Sequence, residues 1–287
     1  MGWDCDVLRS GDTEVLVTSS VGPRVISLTY KSSQNLFHVI ESDACQASDS
    51  VYRHFGGHRL WTTPEDINHT YHPENTPVSK DSEGWYSSQP DRRGLLRSFR
   101  ILPVEQGFKV THCLKNTSSE EVESSPWGIT MLRPGGFGFF PDEPPKSHGN
   151  NSFLPVRSLS LWSYTKMHDQ RLKFEPGLTK IFHGTGNGAF KIGAFVSLGW
   201  GGYYNNGLVF LKTFSGNPDS YPDRGVNFEI YTDDDLLETE TTGTVRNLKP
   251  GDSVHCSEIW QVFECEPDRL IETCEERSSL VRHLINS

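Results

Sequence analysis

An all-β fold, a sandwich or barrel finished by one C-terminal helix, is what this sequence predicts, and three observations carry the expectation. Short apolar or alternating segments separated by turn residues recur along most of the chain, the period-two signature of strands. Turn formers are abundant, with 26 Gly and 17 Pro in 287 residues and no period-three repeat of the collagen kind. Helical spacing is almost absent before residue 267, while 16 Phe, 9 Tyr and 7 Trp supply large side chains for a core, which excludes wholesale disorder.

Residues 13–18 alternate, residues 24–30 alternate after Gly22-Pro23, and residues 35–40 begin after a polar turn, so an opening meander is expected. Further strands are expected at 95–102, 108–115, 209–214, 226–231, 238–245 and 253–264, where Val, Ile, Thr and aromatic residues suit a pleated surface. Residues 267–285 read as a helix, because Leu270, Ile271, Cys274, Leu280, Val281 and Leu284 recur near helical spacing. No composition shift or Gly/Ser/Pro linker divides the chain, so 1–287 reads as one domain with long loops at 55–77 and 134–155.

The net charge of −10 repels phosphate backbones and anionic membrane surfaces, so nucleic acid and membrane are not expected partners and a neutral or cationic ligand fits better. The apolar run at 188–200 contains a lysine and several glycines and falls far short of a membrane span. Acids follow Met1 where a signal peptide needs a basic then an apolar region, so the protein reads as cytoplasmic. The six cysteines, at 5, 45, 113, 256, 265 and 274, lack paired spacing and read as reduced thiols. The Asn-x-Ser/Thr triplets at Asn68, Asn116 and Asn150 read as chance matches.

Two stretches concentrate chemistry. In Arg53-His54-Phe55-Gly56-Gly57-His58-Arg59-Leu60-Trp61, continued by Glu65, His69, His72 and Glu74, paired glycines allow close backbone approach while His, Arg and Trp offer proton transfer, charged donors and a stacking face. That combination suits a sugar. From the residues alone, His54 and His69 read as solvated loop residues and Trp61 as core, with function falling on His58 and Arg59. The second stretch holds Lys212, Tyr221 and a strand in which Asn227, Glu229 and Tyr231 share one face, where Glu229 is placed to act as a base. Glu238, Glu240 and Glu258 form a third, same-face set that reads as structural.

Metal is not expected, because Gly56-Gly57 breaks the helix that would align His54 with His58. The Gly184-Thr185-Gly186-Asn187-Gly188-Ala189 fingerprint precedes a strand rather than a helix, so it reads as a hairpin turn, and no cofactor is expected. Asp233-Asp234-Asp235 reads as a polar turn.

Gly56-Gly57-His58-Arg59-Leu60-Trp61 with Pro64-Glu65, His112, Asn116, Pro126-Trp127, Leu161-Trp162-Ser163-Tyr164, Glu238-Thr239-Glu240, Leu248-Lys249-Pro250-Gly251-Asp252 and Glu258-Ile259-Trp260 resembles the aldose 1-epimerase (galactose mutarotase-like) superfamily, in a branch marked by the Gly-Gly-His-Arg-Leu-Trp motif. The resemblance spans nearly the whole chain. It implies a large antiparallel β-supersandwich binding a monosaccharide or sugar end. It also implies a sugar 1-epimerase in which a carboxylate takes the anomeric proton and a histidine protonates the ring oxygen. Glu229 would be the carboxylate and His58 or His72 the acid. Arg59 and Lys212 would hold oxygens, Trp61 or Trp127 would stack, and Tyr221 joins the binding set. The Asn-Arg pair usual near the first histidine is absent, and His112 and His148 are candidates for the second histidine. Two alternatives share the scaffold: a non-catalytic carbohydrate-binding protein, and a polysaccharide or uronate lyase with Arg59 and Lys212 neutralising the substrate carboxylate. Oligomeric state is left open.

Overall fold

The computed structural model describes residues 2–40, 51–145 and 153–285; Cys45, His148 and Asn150 lie outside them. In chain order the strands of its first half are β1 (Cys5–Ser10), β2 (Thr13–Thr18), β3 (Val25–Tyr30), β4 (His58–Thr63), β5 (Ser79–Lys80), β6 (Trp85–Ser87), β7 (Leu95–Val104), β8 (Gly107–Asn116), β9 (Val122–Leu132) and β10 (Phe137–Pro141). The second half adds β11 (Leu159–Leu161), β12 (Leu172–Glu175), β13 (Leu178–Phe182), β14 (Phe190–Ala194), β15 (Trp200–Asn205), β16 (Leu208–Phe214), β17 (Phe228–Thr232), β18 (Leu237–Thr242), β19 (Arg246–Leu248) and β20 (Ser253–Glu264). One helix, α1 (Leu270–Val281), follows.

These strands form two antiparallel sheets. The first runs β1-β2-β3-β4-β9-β18-β17-β14-β11, with β19 on the end of β9; the second runs β12-β13-β10-β15-β16-β20-β8-β7-β6-β5. Between them lies an apolar core that includes Val25, Phe99, Phe210, Phe228, Ile230 and Trp260. Burying side chains of this size is the main favourable contribution to the fold. On the far face of the second sheet, Phe139, Trp200 and Leu211 pack against Leu270 and Cys274 of α1. The helix therefore covers one outer face of the sandwich, leaving the outer face of the first sheet for other uses.

The expected all-β sandwich with a C-terminal helix is observed, and the strands at 13–18 and 253–264 coincide with β2 and β20. Three local expectations are corrected. Residues 35–40 contribute only isolated bridges, Phe37 to Leu132 and Val39 to Gly56. Both expected loops contain strands: β4 lies inside 55–77 and is a central strand between β3 and β9, and β10 lies inside 134–155. The glycine-rich segment 183–189 is no hairpin, because β13 and β14, which it joins, belong to different sheets. It is a crossover, pinned where Asn187 and Gly188 donate their backbone N–H groups to the Asp234 carboxylate.

Asn116 is buried and its side-chain amide donates to the carbonyls of Glu120 and Leu248, which removes it as a glycosylation acceptor. Cys5, Cys113, Cys256, Cys265 and Cys274 are free thiols. No helix of the described residues is long and apolar enough to cross a membrane.

A buried ionic clamp ties the segment after β4 to both sheets, through Arg24 just before β3 and Arg97 of β7. The Glu74 carboxylate lies 3.1 Å from Arg24 and 3.3 Å from Arg97, and all three side chains are almost fully buried. Arg24 also donates to the His54 carbonyl, and Arg97 to that of Thr70. These extra acceptors matter, since a buried guanidinium is tolerated only when paired and hydrogen-bonded.

Gly57 shows why β4 begins where it does. Its φ is +68°, and a Cβ there would lie 2.1 Å from the Val25 carbonyl oxygen, so only glycine lets β3 and β4 approach. At Gly186, also left-handed with φ +79°, a Cβ would meet nothing within 4 Å. Gly186→Ala should cost about 1–2 kcal/mol of backbone strain. Gly57→Ala should cost about 3 kcal/mol or more, because backbone must also move. Urea unfolding midpoints of the two variants compare these costs directly, and equal shifts would contradict the clash.

Candidate functional site

The period of two along a strand decides which side chains of the first sheet reach its outer face. In β4, Arg59 and Trp61 point outward while His58 and Leu60 point into the sandwich. Arg59 pairs across the sheet with Ile129, Ile129 with Glu240, and Glu240 with Glu229, giving one ladder of outward residues. The next outward ladder runs Met131, Glu238, Tyr231, Lys191. Trp61 and Trp127 form a third. The short, all-buried sequence of β18, Leu-Glu-Thr-Glu-Thr-Thr, thus delivers two carboxylates to one face and Thr239 and Thr241 to the other.

Over these ladders lies a cleft of about 480 Å³. Its floor is charged. Arg59 donates to Glu238 Oε1 at 2.9 Å and lies over the Trp61 ring at 4.3 Å. Lys191 Nζ lies 2.6 Å from Glu229 Oε2 and 2.8 Å from Glu240 Oε2, and Trp127 Nε1 donates to the same Glu240 oxygen at 2.7 Å. The ammonium also sits 4.4 Å from the Trp127 ring centroid and 4.6 Å from that of Trp162. Its walls are largely aromatic: Trp61 packs against Tyr71 at 4.8 Å and Trp127 at 5.5 Å, and Trp162, Tyr164 and His54 also line the space.

Burial and pairing set the protonation states. Burial drives the Glu229 carboxyl well above the ordinary carboxylate range; Lys191 pulls it back, but Glu240 and Asp223 add repulsion. The Glu238 carboxyl is also raised by burial, against the pull of Arg59. Burial disfavours the charges of Lys191 and Arg59, yet their carboxylate partners outweigh it and hold both cations ionised.

A second polar cluster lies behind the sheet, between the two layers. His58 Nε2 is 2.8 Å from His112 Nε2, and His58 Nδ1 is 2.9 Å from Thr130 Oγ1. The two Nε2 atoms face each other, so one donates and the other accepts, and burial together with nearby cations holds both rings neutral. Beside them Glu258 accepts from Thr241 and Trp260 and lies 3.3 Å from Lys212 Nζ. Donor atoms of His58, His112 and Glu258 fall within 4.8 Å of one another, a grouping a metal ion could use. The contacts above already engage each donor, and the adjacent Lys212 ammonium opposes a second cation.

Of the residues expected from sequence, Arg59, Trp61 and Trp127 line the cleft, and Glu229 lies on its floor beneath Lys191. His58 and Lys212 are in the inner cluster instead: strand alternation turns His58 away from its neighbour Arg59, and Lys212 belongs to the second sheet. His72 is half-buried beside Arg97, Asp91 and Glu74, and Tyr221 lines a separate hollow with its hydroxyl on the Asn217 carbonyl. Glu258 does not share a face with Glu238 and Glu240, since it lies on the other sheet. Among the described histidines, His54 lines the cleft. Lys191 is the central residue that sequence reading passed over; its only signal was a cation inside an otherwise apolar strand, Phe190-Lys191-Ile192.

No protein-family model matches the chain, and no curated protein matches it in sequence. Solved structures do. A proposed aldose 1-epimerase from Escherichia coli K12 aligns with a TM-score of 0.61 at 9% identity, over 92% of this chain and 100% of that one. A galactose mutarotase-like protein from Lactobacillus casei ATCC 334 aligns with a TM-score of 0.57 at 8% identity, over 91% and 100%. A TPR-domain containing protein from Parabacteroides distasonis ATCC 8503 aligns with a TM-score of 0.57 at 12% identity, over 92% of this chain but 48% of that one. At such identities the likeness establishes architecture alone. The fold is that of the galactose mutarotase-like proteins.

The neutral histidine pair predicts acid sensitivity. Burial holds His112 down to about 4 from its ordinary 6.5, and His58 well below 6.5. Both stay neutral when folded and gain protons on unfolding, so their contribution is complete above pH 6.5 and is lost as pH falls toward about 4. For His112 alone that is about 3 kcal/mol. His112→Gln should be less stable at pH 7.5 but should lose less stability between pH 6.5 and 4, as measured by urea unfolding across that range; an unchanged slope would contradict the assignment.

Proposed function

We propose that the cleft binds a sugar and that the protein is a carbohydrate-active enzyme of the sugar 1-epimerase type. The observation that carries this reading is a single sugar-sized hollow whose walls are indole and phenol rings and whose floor is a ladder of buried carboxylates clasped by two cations. Aromatic faces suit the C–H faces of a pyranose, and fixed charged groups suit its hydroxyls. A carboxyl raised by burial is also a fit general base near neutral pH.

In this reading Glu238 takes the proton from the anomeric hydroxyl while His54, in its protonated form, gives one to the ring oxygen. The C1–O5 bond breaks as the C1 carbonyl forms. Rotation about C1–C2 and reversal of both transfers recloses the ring on the other face, returning each proton to its donor. Arg59 orients the Glu238 carboxylate, and Lys191 holds Glu240 for a sugar hydroxyl. These assignments move the acid from His58 and His72 to His54, and the base from Glu229 to Glu238 on the adjoining strand of the same floor.

Two alternatives fare differently. A uronate lyase needs a cation free to neutralise the substrate carboxylate, and both cations lining the cleft are already paired, which disfavours it. A non-catalytic carbohydrate-binding protein needs only the walls and the floor.

NMR exchange spectroscopy on anomeric protons separates the two remaining readings. The wild type should accelerate α/β exchange of a free aldose, and Glu238→Gln should lower that rate by about 10²-fold or more while sugar binding, followed by tryptophan fluorescence, persists. The active base is the ionised form, so the rate should rise as pH increases through a pKa above the ordinary carboxylate value of 4.5. Saturable binding with no exchange above buffer would leave the binding-protein reading.

A further inference from the structure

The cleft does not end at Trp162. On that residue's other side lies a hollow of about 200 Å³ lined by Ser160, Leu161, Trp162, Asp223 and Arg224, so one indole borders both spaces. Resting on the sugar reading of the cleft, we propose that this hollow is a second glycosyl subsite and that the protein takes the reducing end of a neutral di- or oligosaccharide. The terminal ring sits over the carboxylate floor, and the next ring sits across Trp162 between Asp223 and Arg224.

Four observations support the assignment. First, Trp162 is half-buried and held by the Lys191 ammonium 4.6 Å from its ring centroid, so the partition between the two spaces is anchored to the floor of the first. Second, the hollow carries its own recognition groups. The Asp223 carboxylate lies close enough to the Glu229 carboxyl to push it up by repulsion, which joins the hollow to the cleft floor, and Arg224 is exposed with no hydrogen bond or ion pair to the described residues. An acceptor and a forked donor side by side match the vicinal hydroxyls of a neutral sugar ring.

Third, those two residues are presented at a conformational cost. Asp223 (φ 51°, ψ 41°) and Arg224 (φ 71°, ψ 32°) are consecutive non-glycine residues in the left-handed region, in a turn closed by Val226 N–H donating to the Pro222 carbonyl. Ser160 Oγ donates to the Asp223 carbonyl at 2.8 Å and fastens the turn to β11. Backbone held this way clusters at ligand clamps. Fourth, Leu161 and Tyr164 flank Trp162 with 41% and 42% of their surfaces exposed, apolar area beside a polar pair, as a ring with one C–H face and one hydroxyl edge requires.

Titration of the full chain with neutral aldoses and with disaccharides bearing each aldose at the reducing end, read by calorimetry, tests the proposal. At least one disaccharide should bind tenfold or more tightly than its reducing monosaccharide. Arg224→Gly and Arg224→Asn each keep a residue suited to the left-handed turn while deleting the guanidinium; each should erase most of the disaccharide gain and leave monosaccharide affinity unchanged. Thermal unfolding verifies that both variants fold. Disaccharides binding no better than monosaccharides, or variants weakening both ligands equally, would overturn the second subsite while leaving sugar binding in the cleft intact. Failure of every saccharide to bind overturns both, and is thereby told apart.

Discussion

The ammonium of Lys191 is the interaction on which the outer face of the first sheet depends. Glu229 and Glu240 face each other directly across β17 and β18, and two buried carboxylates so placed repel one another unless something positive stands between them. Lys191, projecting from β14, sits within 2.8 Å of both and carries an indole on either side. Arg59 does the same for Glu238 on the next ladder. Removing either cation would strand buried negative charge, at a cost of about 3–5 kcal/mol, so the cations build the floor before they do anything to a ligand.

The sheet that carries this floor is polar on both sides. Behind it the histidine pair, Lys212 and Glu258 occupy the middle of the sandwich, where an apolar filling would suffice for stability. A one-residue slip of β4 would exchange His58 with Arg59, driving a guanidinium between the layers and an imidazole into the cleft, and the same slip of β18 would exchange threonines for glutamates. Polar groups that are satisfied in only one pairing make the wrong register expensive. The two clusters thus specify each other's position as well as their own.

Much of the architecture was readable from the chain. β2 and β20 announce themselves by alternation, and α1 by spacing, because each is long enough for its period to show. β4 was not readable: His-Arg-Leu-Trp-Thr-Thr follows two glycines that look like the middle of a loop, although they are there to let strands touch. The site was half legible. Arg59, Trp61, Trp127 and Glu229 were singled out because their chemistry is conspicuous, but a strand's alternation acts on neighbours, and choosing His58 together with Arg59 ignored it. Lys191 gave almost no signal alone, since what makes it important is Glu240, 49 residues further on and two strands away across the sheet. Tyr221 and His72 lie in polar-aromatic stretches that resemble a site locally yet fold to other places.

The clamp of Arg24, Glu74 and Arg97 has a bearing on how anything reaches the cleft. It grips the segment bearing Tyr71 from below, and the Thr70 carbonyl and Glu74 backbone are fastened on either side of that ring. A wall so moored does not swing aside to admit a guest and close afterwards. For the sugar proposed above, selection would then be by lock-and-key, with the ordering penalty met during folding rather than at each encounter, and a guest of the wrong outline refused rather than accommodated.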